Sequence, residues 1–156
     1  MTSRPLSIRF ANKADAPTIA GFNLAMARET EDKTLDPATV RSGVASLFER
    51  PERGFYLVAE LDGSVVGSLM ITTEWSDWRD GVFWWIQSVY VLPAAQRRGV
   101  FSRLFRHVEA LAQRDREVCG FRLYVERENK VAQSVYRSLG MGETEYKLFE
   151  RPLERG

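Results

Sequence analysis

The stretch that decides the fold reads VFWWIQSVYVL over residues 82–92 and continues PAAQRRGVFS over residues 93–102. The first part is almost continuously apolar, which is typical of a β-strand buried on both faces. Pro93 ends that strand, and apolar residues then recur at helical spacing between Phe101 and Ala112. A further short apolar run at 121–125 predicts a second strand, so the order is strand, loop, helix, strand.

The loop between this strand and its helix is the first candidate for a binding site. Two strands joined by a helical crossover normally lie parallel, and α/β sheets usually bind ligands at the carboxyl ends of such strands. Gly99 at the helix start lets main-chain amides approach an anion, and the first turn offers unpaired amides at the positive end of the helix dipole. With the charged donors of Arg97 and Arg98, the loop predicts a pyrophosphate site. The alternative is that this segment binds no ligand, so that Gly99 only allows the turn and the two arginines are solvated.

The rest of the chain predicts a sheet flanked by helices. Asp36 and Pro37 are typical of a helix start, as N-cap and first-turn proline. Asp62-Gly63 between two apolar runs predicts a tight hairpin, because that turn needs positive φ. The predicted strands are 6–10, 55–61, 65–73, 82–92, 121–125 and 143–149, and the predicted helices are 14–28, 37–50, 101–112 and the stretch between Asn129 and Gly140.

Composition excludes several classes of function. The chain has 156 residues, 44% of them hydrophobic, which suits one domain over 1–156. Its formal net charge of +1 gives no general attraction to nucleic acid or to an anionic membrane. A single cysteine and a single histidine exclude an internal disulfide and a zinc site built on clusters of these residues. No apolar run approaches the ~20 residues of a bilayer span, and no signal-peptide core follows the N-terminus. We therefore expect a soluble, cytoplasmic protein without metal, nucleic-acid or membrane partners.

Two segments resemble the motifs of the GNAT superfamily, the acetyl-CoA-dependent N-acetyltransferases. Residues 91–101, VLPAAQRRGVF, resemble V-x-P-x-x-[QR]-x-x-G-x-[GA]. Residues 122–141, RLYVERENKVAQSVYRSLGM, resemble L-x-V-x-x-x-N-x-x-A-x-x-x-Y-x-x-x-G-[FM]. With a matching first strand and helix, the resemblance covers nearly the whole chain. Phe101 stands where the family usually has Gly or Ala. We expect its ring to point into the core while its N–H still donates, and the alternative is a ring that narrows the approach of the pyrophosphate.

The resemblance implies the α/β GNAT fold and acetyl-CoA as cosubstrate. That fold has a central, mixed, mostly antiparallel twisted sheet flanked by helices, with one parallel strand pair splayed to hold CoA. The pantetheine arm would bind the main chain as an added strand, and the pyrophosphate would bind amides of the loop. The cofactor-binding residues so implied are Val89, Tyr90, Val91, Gln96, Arg97, Arg98, Gly99, Val100, Phe101, Ser102 and Asn129. A plain N-cap role explains Asn129 as well.

The activity implied by the resemblance is transfer of the acetyl group to an amine, by direct attack in a ternary complex. The family tyrosine corresponds to Tyr136, which would be the general acid at the CoA sulfur, with a core tyrosine as the alternative. Residues 82–92 contain no carboxylate, so the base must come from another segment. Glu29 and Glu74 are the first candidates, because they lie near segments that line the acceptor side in this family.

The acceptor is expected to be an amine of a small molecule or a peptide. Trp75 and Trp78, with acidic residues beside them, favour a cationic amine through cation–π contact. A non-catalytic acyl-CoA sensor or partner-binding domain on the same fold is the alternative, and it would keep Gly99 without needing Tyr136. A nucleic-acid domain using the arginines around residues 97–106 is weaker, because the net charge is near zero. A homodimer is compatible with the sequence.

Overall fold

The computed structural model describes residues 5–155, which form two compact units, one up to Tyr124 and one from Val125 onward. The first unit holds the sheet and three of the helices, and the second holds the last helix. The elements in chain order are β1 (Ser7–Phe10), a 3-10 turn (Lys13–Asp15), α1 (Ala16–Glu31), α2 (Pro37–Phe48), β2 (Gly54–Leu61), β3 (Ser64–Ser76), β4 (Gly81–Val91), a 3-10 turn (Pro93–Ala95), α3 (Val100–Gln113), β5 (Val118–Arg122) and α4 (Lys130–Ser138).

The sheet is five-stranded, with the strands in sequence order from β1 to β5. Neighbouring strands are antiparallel except β4 and β5, which are parallel and are joined through α3. The predicted mixed, mostly antiparallel sheet with one parallel pair is therefore confirmed. The Asp62-Gly63 hairpin is confirmed too, since these residues have φ of 54° and 82°, as a primed turn requires.

Three predicted strands differ from the structure. β3 ends at Ser76, three residues beyond the predicted end of 65–73, because Thr73 to Ser76 still pair with β4. β5 begins three residues earlier than predicted and ends at Arg122, because Val118 already pairs with Val82 at the start of β4. The predicted strand over 143–149 is wrong, since none of the described residues after Ser138 belongs to a strand. That segment has the alternation of a strand, but alternation makes a strand only where a neighbouring strand completes its hydrogen bonds.

The core of the first unit lies on both faces of the sheet. α1 and α2 cover one face, where Ile19 and Val44 pack against Tyr56 and Val58 of β2. α3 covers the other face, and its Phe105 ring packs edge-on against Phe121 of β5 with centroids 5.8 Å apart. Each fully buried side chain of this size contributes about 1.5–3 kcal/mol to stability. None of the described helices is long and apolar enough to cross a membrane.

One ion-pair network joins β1, β2 and the start of α1. Arg9 donates to both carboxylate oxygens of Asp15, at 2.8 and 3.0 Å, and to Glu60 at 2.8 Å. Asp15 also accepts the main-chain N–H of Asn12, whose own side chain accepts from Ala14 N. Because Arg9 and the Asn12 amide stabilise the charged carboxylate, the pKa of Asp15 lies below its ordinary value.

We predict that Asp15→Asn destabilises the protein by about 1–3 kcal/mol at pH 7, because it removes a charge from a mostly buried hydrogen-bonded pair. The lowered pKa means that the carboxylate stabilises the fold above about pH 4 and that this contribution disappears as the pH falls further. Urea unfolding of both chains between pH 3 and pH 7 measures the difference, which should shrink toward acid. Asp36→Asn is the control, because Asp36 caps α2 without a cation and asparagine caps equally well. An equal loss in both variants would contradict the role of Arg9.

Candidate functional site

β4 pairs with β3 along its whole length but with β5 only over its first half. The parallel register runs from Val82 opposite Val118 to Trp85 opposite Arg122. Beyond Trp85, the β5 side of β4 has no strand partner among the described residues. The main-chain groups on that edge are therefore not used by a strand, and the predicted residues 89–91 lie in this stretch.

A β-bulge lies within the open half of β4. The register with β3 shifts between Met70, which faces Gln87, and Ser68, which faces Tyr90. Two residues of β4, Ser88 and Val89, thus fit opposite one residue of β3, and Ser88 has φ of 52°. A bulge bends and twists its strand. The bulge therefore coincides with the place where β4 is no longer paired with β5.

Hydrogen bonds tie the loop after β4 back to the end of that strand before α3 begins. The side chain of Gln96 donates to Val91 O at 3.2 Å, and its main-chain N–H donates to Leu92 O at 3.1 Å. Arg97 and Gly99 both have left-handed conformations, with φ of 69° and 74°. Alternating conformations of this kind turn successive amides toward one side of the loop.

The first turn of α3 presents amides for an anion. Arg103 N donates to Gly99 O at 3.1 Å, which is the first main-chain bond of the helix. Within the described part of the chain, the amides of Val100 and Ser102 have no hydrogen-bond acceptor, as expected at a helix N-terminus.

The space in front of Gly99 is open, and its flank is cationic. A Cβ added at Gly99 would meet no atom within 4 Å. Arg97 and Arg98 are exposed and form no ion pair with any described residue. Helix-start amides beside open space and two cationic side chains fit a diphosphate, so the residues present are suited to the cofactor that the sequence implies.

Gly67 on β3 fixes how closely α3 approaches the sheet. A Cβ at this buried glycine would lie 3.0 Å from Tyr90 O and 3.2 Å from Val100 Cγ1. The first residue of α3 therefore packs directly against the backbone of β3. Sequence reasoning missed Gly67, although a glycine inside a strand is itself a signal of close approach.

Phe101 lies along the flank of α3. Its side chain is half-buried, and its ring centroid is 6.2 Å from that of Phe105. The departure from the family pattern thus places an aromatic ring against the next turn of the same helix. Donation by the Phe101 amide to a ligand stays a prediction.

Glu29 is held at the end of α1 beside β4. The buried Tyr90 hydroxyl donates to both oxygens of its carboxylate, at 3.0 and 3.1 Å. Burial first, and then the hydrogen bond to Glu29 and the charge of that carboxylate, raise the pKa of Tyr90, so the phenol stays protonated at neutral pH. The contact links the candidate base to one of the three β4 residues predicted to bind the pantetheine arm.

The Glu74 carboxylate accepts hydrogen bonds from side chains of two other strands of the sheet. Trp85 Nε1 donates to it at 2.7 Å from β4, and Arg122 Nη1 donates at 2.9 and 3.1 Å from β5. These hydrogen bonds and the Arg122 charge lower the pKa of Glu74. Arg122 in turn lies 3.8 Å above the centroid of the Phe83 ring. Glu74 is therefore a well-stabilised carboxylate with a low affinity for a proton.

The remaining predicted residues are two exposed tryptophans of the first unit and two residues of the second unit, Asn129 and Tyr136. Trp75, at the end of β3, and Trp78, in the turn after it, are exposed by 59% and 84%. Asn129 caps α4 by accepting from Ala132 N at 3.2 Å, so its capping role is confirmed, while cofactor contact stays a prediction. Tyr136 is half-buried in α4, and burial raises the pKa of its phenol. Among the described residues, no group of three or more His, Cys, Asp or Glu is arranged to hold a metal ion.

Comparison with known proteins agrees with this geometry. The model of the acetyltransferase (GNAT) family matches residues 20–141. A crystal structure from Clostridium difficile 630, described as "a possible acetyltransferase", is 41% identical, with 97% of this chain and all of that chain covered and a TM-score of 0.90.

Two more distant structures share the fold. The aminoglycoside N-acetyltransferase AAC(6')-Iy in complex with CoA is 20% identical over 97% of each chain, with a TM-score of 0.76. A ribosomal-protein-alanine N-acetyltransferase from Brucella melitensis biovar Abortus 2308 is 15% identical, covering 96% of this chain and all of that one, with a TM-score of 0.75. The GNAT family uses acetyl-CoA. The family model matches most of the chain, and the sheet has one parallel strand pair that ends beside a helix preceded by a glycine. This chain therefore belongs to the GNAT acetyltransferase family.

Proposed function

We propose that this protein is an N-acetyltransferase, which binds acetyl-CoA where β4 leads into α3 and transfers the acetyl group to an amine by direct attack in a ternary complex. One observation carries the proposal: Gly99 adopts a left-handed conformation with open space in front of it, at the first turn of α3. That geometry supports binding of a diphosphate, and the unpaired edge of β4 supports binding of an extended arm beside it.

In this proposal the chain's own groups hold the cosubstrate in two ways. The amides of residues 97–102 and the side chains of Arg97 and Arg98 bind the diphosphate, while Gln96 keeps the loop closed through Val91 O. The main chain of residues 89–91 binds the pantetheine arm. When bound, acetyl-CoA supplies the activated acetyl group as a thioester. A main-chain N–H of this part of β4 would stabilise the negative charge that develops on the carbonyl oxygen.

The amine must lose a proton before or during attack. A lysine-like amine with a pKa of about 10.4 is deprotonated at pH 7 only at a cost of roughly 4–5 kcal/mol. Of the two candidate bases, Glu29 is favoured, because it is exposed and lies beside β4 through its contact with Tyr90. Glu74 is disfavoured, because Trp85 and Arg122 stabilise its charged form and lower its pKa. A carboxylate that resists protonation is a poor proton acceptor.

We assign the general-acid role at the leaving sulfur to Tyr136. Its raised pKa keeps the phenol protonated at neutral pH, so it has a proton to give to the thiolate. The acceptor is an amine of a small molecule or a peptide. The exposed Trp75 and Trp78, with Asp77 and Asp80 beside them in the sequence, support a cationic acceptor.

The proposal predicts acetyl-CoA-dependent thiol release with at least one member of a panel of amines, and loss of that release in Gly99→Glu. The new side chain would place bulk and negative charge where the diphosphate binds, so calorimetric binding of CoA should also be lost. Gly140→Glu is the matched control, because Gly140 also has a positive φ of 89° and open space around a Cβ, so the backbone cost of about 1–2 kcal/mol is shared. Unchanged CoA affinity in Gly99→Glu would defeat the loop assignment, and CoA binding without thiol release from any amine would support a sensor instead.

A second prediction concerns Gly67, as the residue that sets the position of the loop. Gly67→Ala should push Val100 and the first turn of α3 away from β3, since the new Cβ would lie 3.2 Å from Val100 Cγ1. We expect CoA affinity to fall about five- to tenfold, roughly 1 kcal/mol. Adding Val100→Ala should restore part of the affinity by removing the crowded methyl. Gly43→Ala, where a Cβ meets nothing within 4 Å, should leave affinity unchanged. Equal affinity in all four proteins would contradict the positioning role.

A third prediction separates the two candidate bases. Glu29→Gln should lower kcat for a lysine-like amine by about 10²-fold or more, with little change in the KM for acetyl-CoA, because the amine loses its proton acceptor. Glu74→Gln should reduce kcat less, and Glu109→Gln, an exposed carboxylate on α3, should have no effect. Raising the pH should partly rescue Glu29→Gln, since more of the amine is then neutral. A larger kcat loss in Glu74→Gln than in Glu29→Gln would reverse the assignment.

A further inference from the structure

Side chains of three adjacent strands meet where the parallel pairing of β4 and β5 ends. Trp85 and Arg122 are the last residue pair of that ladder, and Glu74 on β3 accepts hydrogen bonds from both. The carboxylate therefore links β3, β4 and β5 at the residue pair after which β4 has a free edge. Glu74, Trp85 and Arg122 are called the clasp below.

The hydrogen bonds of the clasp are short and involve charged groups. Glu74 accepts at 2.7 Å from Trp85 Nε1 and at 2.9 and 3.1 Å from Arg122 Nη1. The Arg122 and Glu74 side chains are 26% and 42% exposed, so the ion pair is partly shielded from water. Charge-assisted hydrogen bonds are stronger than neutral ones. The clasp therefore restrains the three strands at one level of the sheet.

A glycine and an aromatic ring position the Arg122 side chain. Its guanidinium carbon lies 3.8 Å from the centroid of the Phe83 ring. That ring lies against Gly120 of β5, where an added Cβ would be 2.8 Å from the nearest ring carbon. Gly120 thus makes room for Phe83, and Phe83 supports the guanidinium by a cation–π contact. These contacts hold Arg122 independently of Glu74.

The clasp lies on the same face of the sheet as the proposed base. Successive residues of a strand point to opposite faces, so Glu74 and Ser68, an even number of residues apart on β3, share a face. Tyr90 lies opposite Ser68 across the pairing of β3 with β4, and its hydroxyl donates to Glu29. In the proposed reaction, the amine approaches the thioester from this face.

The clasp also marks the inner end of the free edge of β4. In the proposed binding mode, the diphosphate lies at the first turn of α3 and the pantetheine arm runs back along residues 89–91. The thioester is therefore the end of the arm that lies nearest Trp85. The ends of short ladders open easily. A restraint at the last residue pair consequently decides how far along β4 the arm can bind.

We propose that the clasp positions the thioester for acetyl transfer, because it fixes the residue pair at which β4 and β5 separate. The proposal rests on the proposed function, since it takes acetyl-CoA as the ligand of the free edge. Glu74, Trp85 and Arg122 are then positioning residues, and Glu74 takes no proton from the amine. Misplacing reacting groups by about 1 Å can cost about 10²-fold in rate, so a small shift of the separation point matters.

Hydrogen exchange tests the separation point without any acceptor. In Arg122→Met, which keeps an apolar side chain on Phe83, the amides of residues 82–85 and 118–122 should exchange at least about tenfold faster. The amides of residues 57–59, in the buried part of β2, should stay protected. Unchanged exchange in β4 and β5 would overturn the proposal. An equal acceleration in residues 57–59 would mean a general loss of stability and would overturn it too.

Glu60→Gln is the matched control for Glu74→Gln. Glu60 on β2 is likewise a partly exposed strand glutamate that is paired with an arginine of the neighbouring strand, Arg9, at 2.8 Å. It lies outside β3, β4 and β5, so the substitution should leave both hydrogen exchange at the clasp and kcat unchanged. Equal effects of the two substitutions would show that any cross-strand ion pair of this sheet acts in the same way, which contradicts the proposal.

Steady-state kinetics separates positioning from binding. Glu74→Gln, Trp85→Phe and Arg122→Met should each lower kcat about five- to tenfold, because the thioester is misplaced. The KM for acetyl-CoA and the calorimetric Kd of CoA should change less than about twofold, since the diphosphate is held at α3. A raised KM for the amine at unchanged kcat would mean that these side chains contact the acceptor, and the proposal would fail. So would loss of the acid limb of the kcat–pH profile in Glu74→Gln, which would make Glu74 the base.

A double substitution tests whether the clasp acts as a unit. Glu74→Gln combined with Arg122→Met should lower kcat no further than the larger single loss, because either change already breaks the clasp. Losses that multiply would mean independent roles and would refute the proposal. If the unaltered protein binds CoA but releases no thiol with any amine, the proposed function fails, and hydrogen exchange still decides whether the clasp fixes the separation point.

Discussion

The proposed cosubstrate site depends on where the parallel pairing of β4 and β5 stops. β4 is bonded to β3 over its whole length, but β5 follows it only from Val82 to Trp85. Everything beyond that point has one free edge, and the bulge at Ser88 bends the strand there. If the two strands stayed paired to the end of β4, its main chain would already be bonded and no extended ligand could join it.

The neighbouring strand β3 sets the position of the proposed anion-binding turn. Gly67 lets Val100 pack against the backbone of β3, so the first turn of α3 lies close to the end of β4. Gly99 then enters the helix in a left-handed conformation with open space before it. A helix N-terminus attracts an anion wherever it occurs. Its place beside the open edge of β4 is what suits it to a ligand that has both a diphosphate and an extended arm.

Two carboxylates that look alike in the sequence differ in their surroundings. Glu74 is stabilised by Trp85 and Arg122 from the two neighbouring strands, so its pKa falls. The hydrogen-bond donor recorded for Glu29 within residues 5–155 is the Tyr90 phenol, a neutral group whose pKa the carboxylate helps to raise. The lowered pKa of Glu74 arises because the sheet brings Glu74, Trp85 and Arg122 together although they are far apart in the sequence.

Much of the fold could be predicted from the sequence, because many of its elements are determined by neighbouring residues. The apolar run 82–92, the Asp62-Gly63 turn, the Asp36 cap and the loop around Gly99 depend on neighbouring residues, so the strands, hairpin and helices they predict are present. The pairing of backbone segments depends on residues that are far apart in the sequence, and only the tertiary structure decided it. The tertiary structure ended the β4–β5 pairing at Trp85 and placed Gly67 against Val100. It left the alternating segment 143–149 without a strand partner among the described residues, and a strand exists only where another backbone completes its hydrogen bonds.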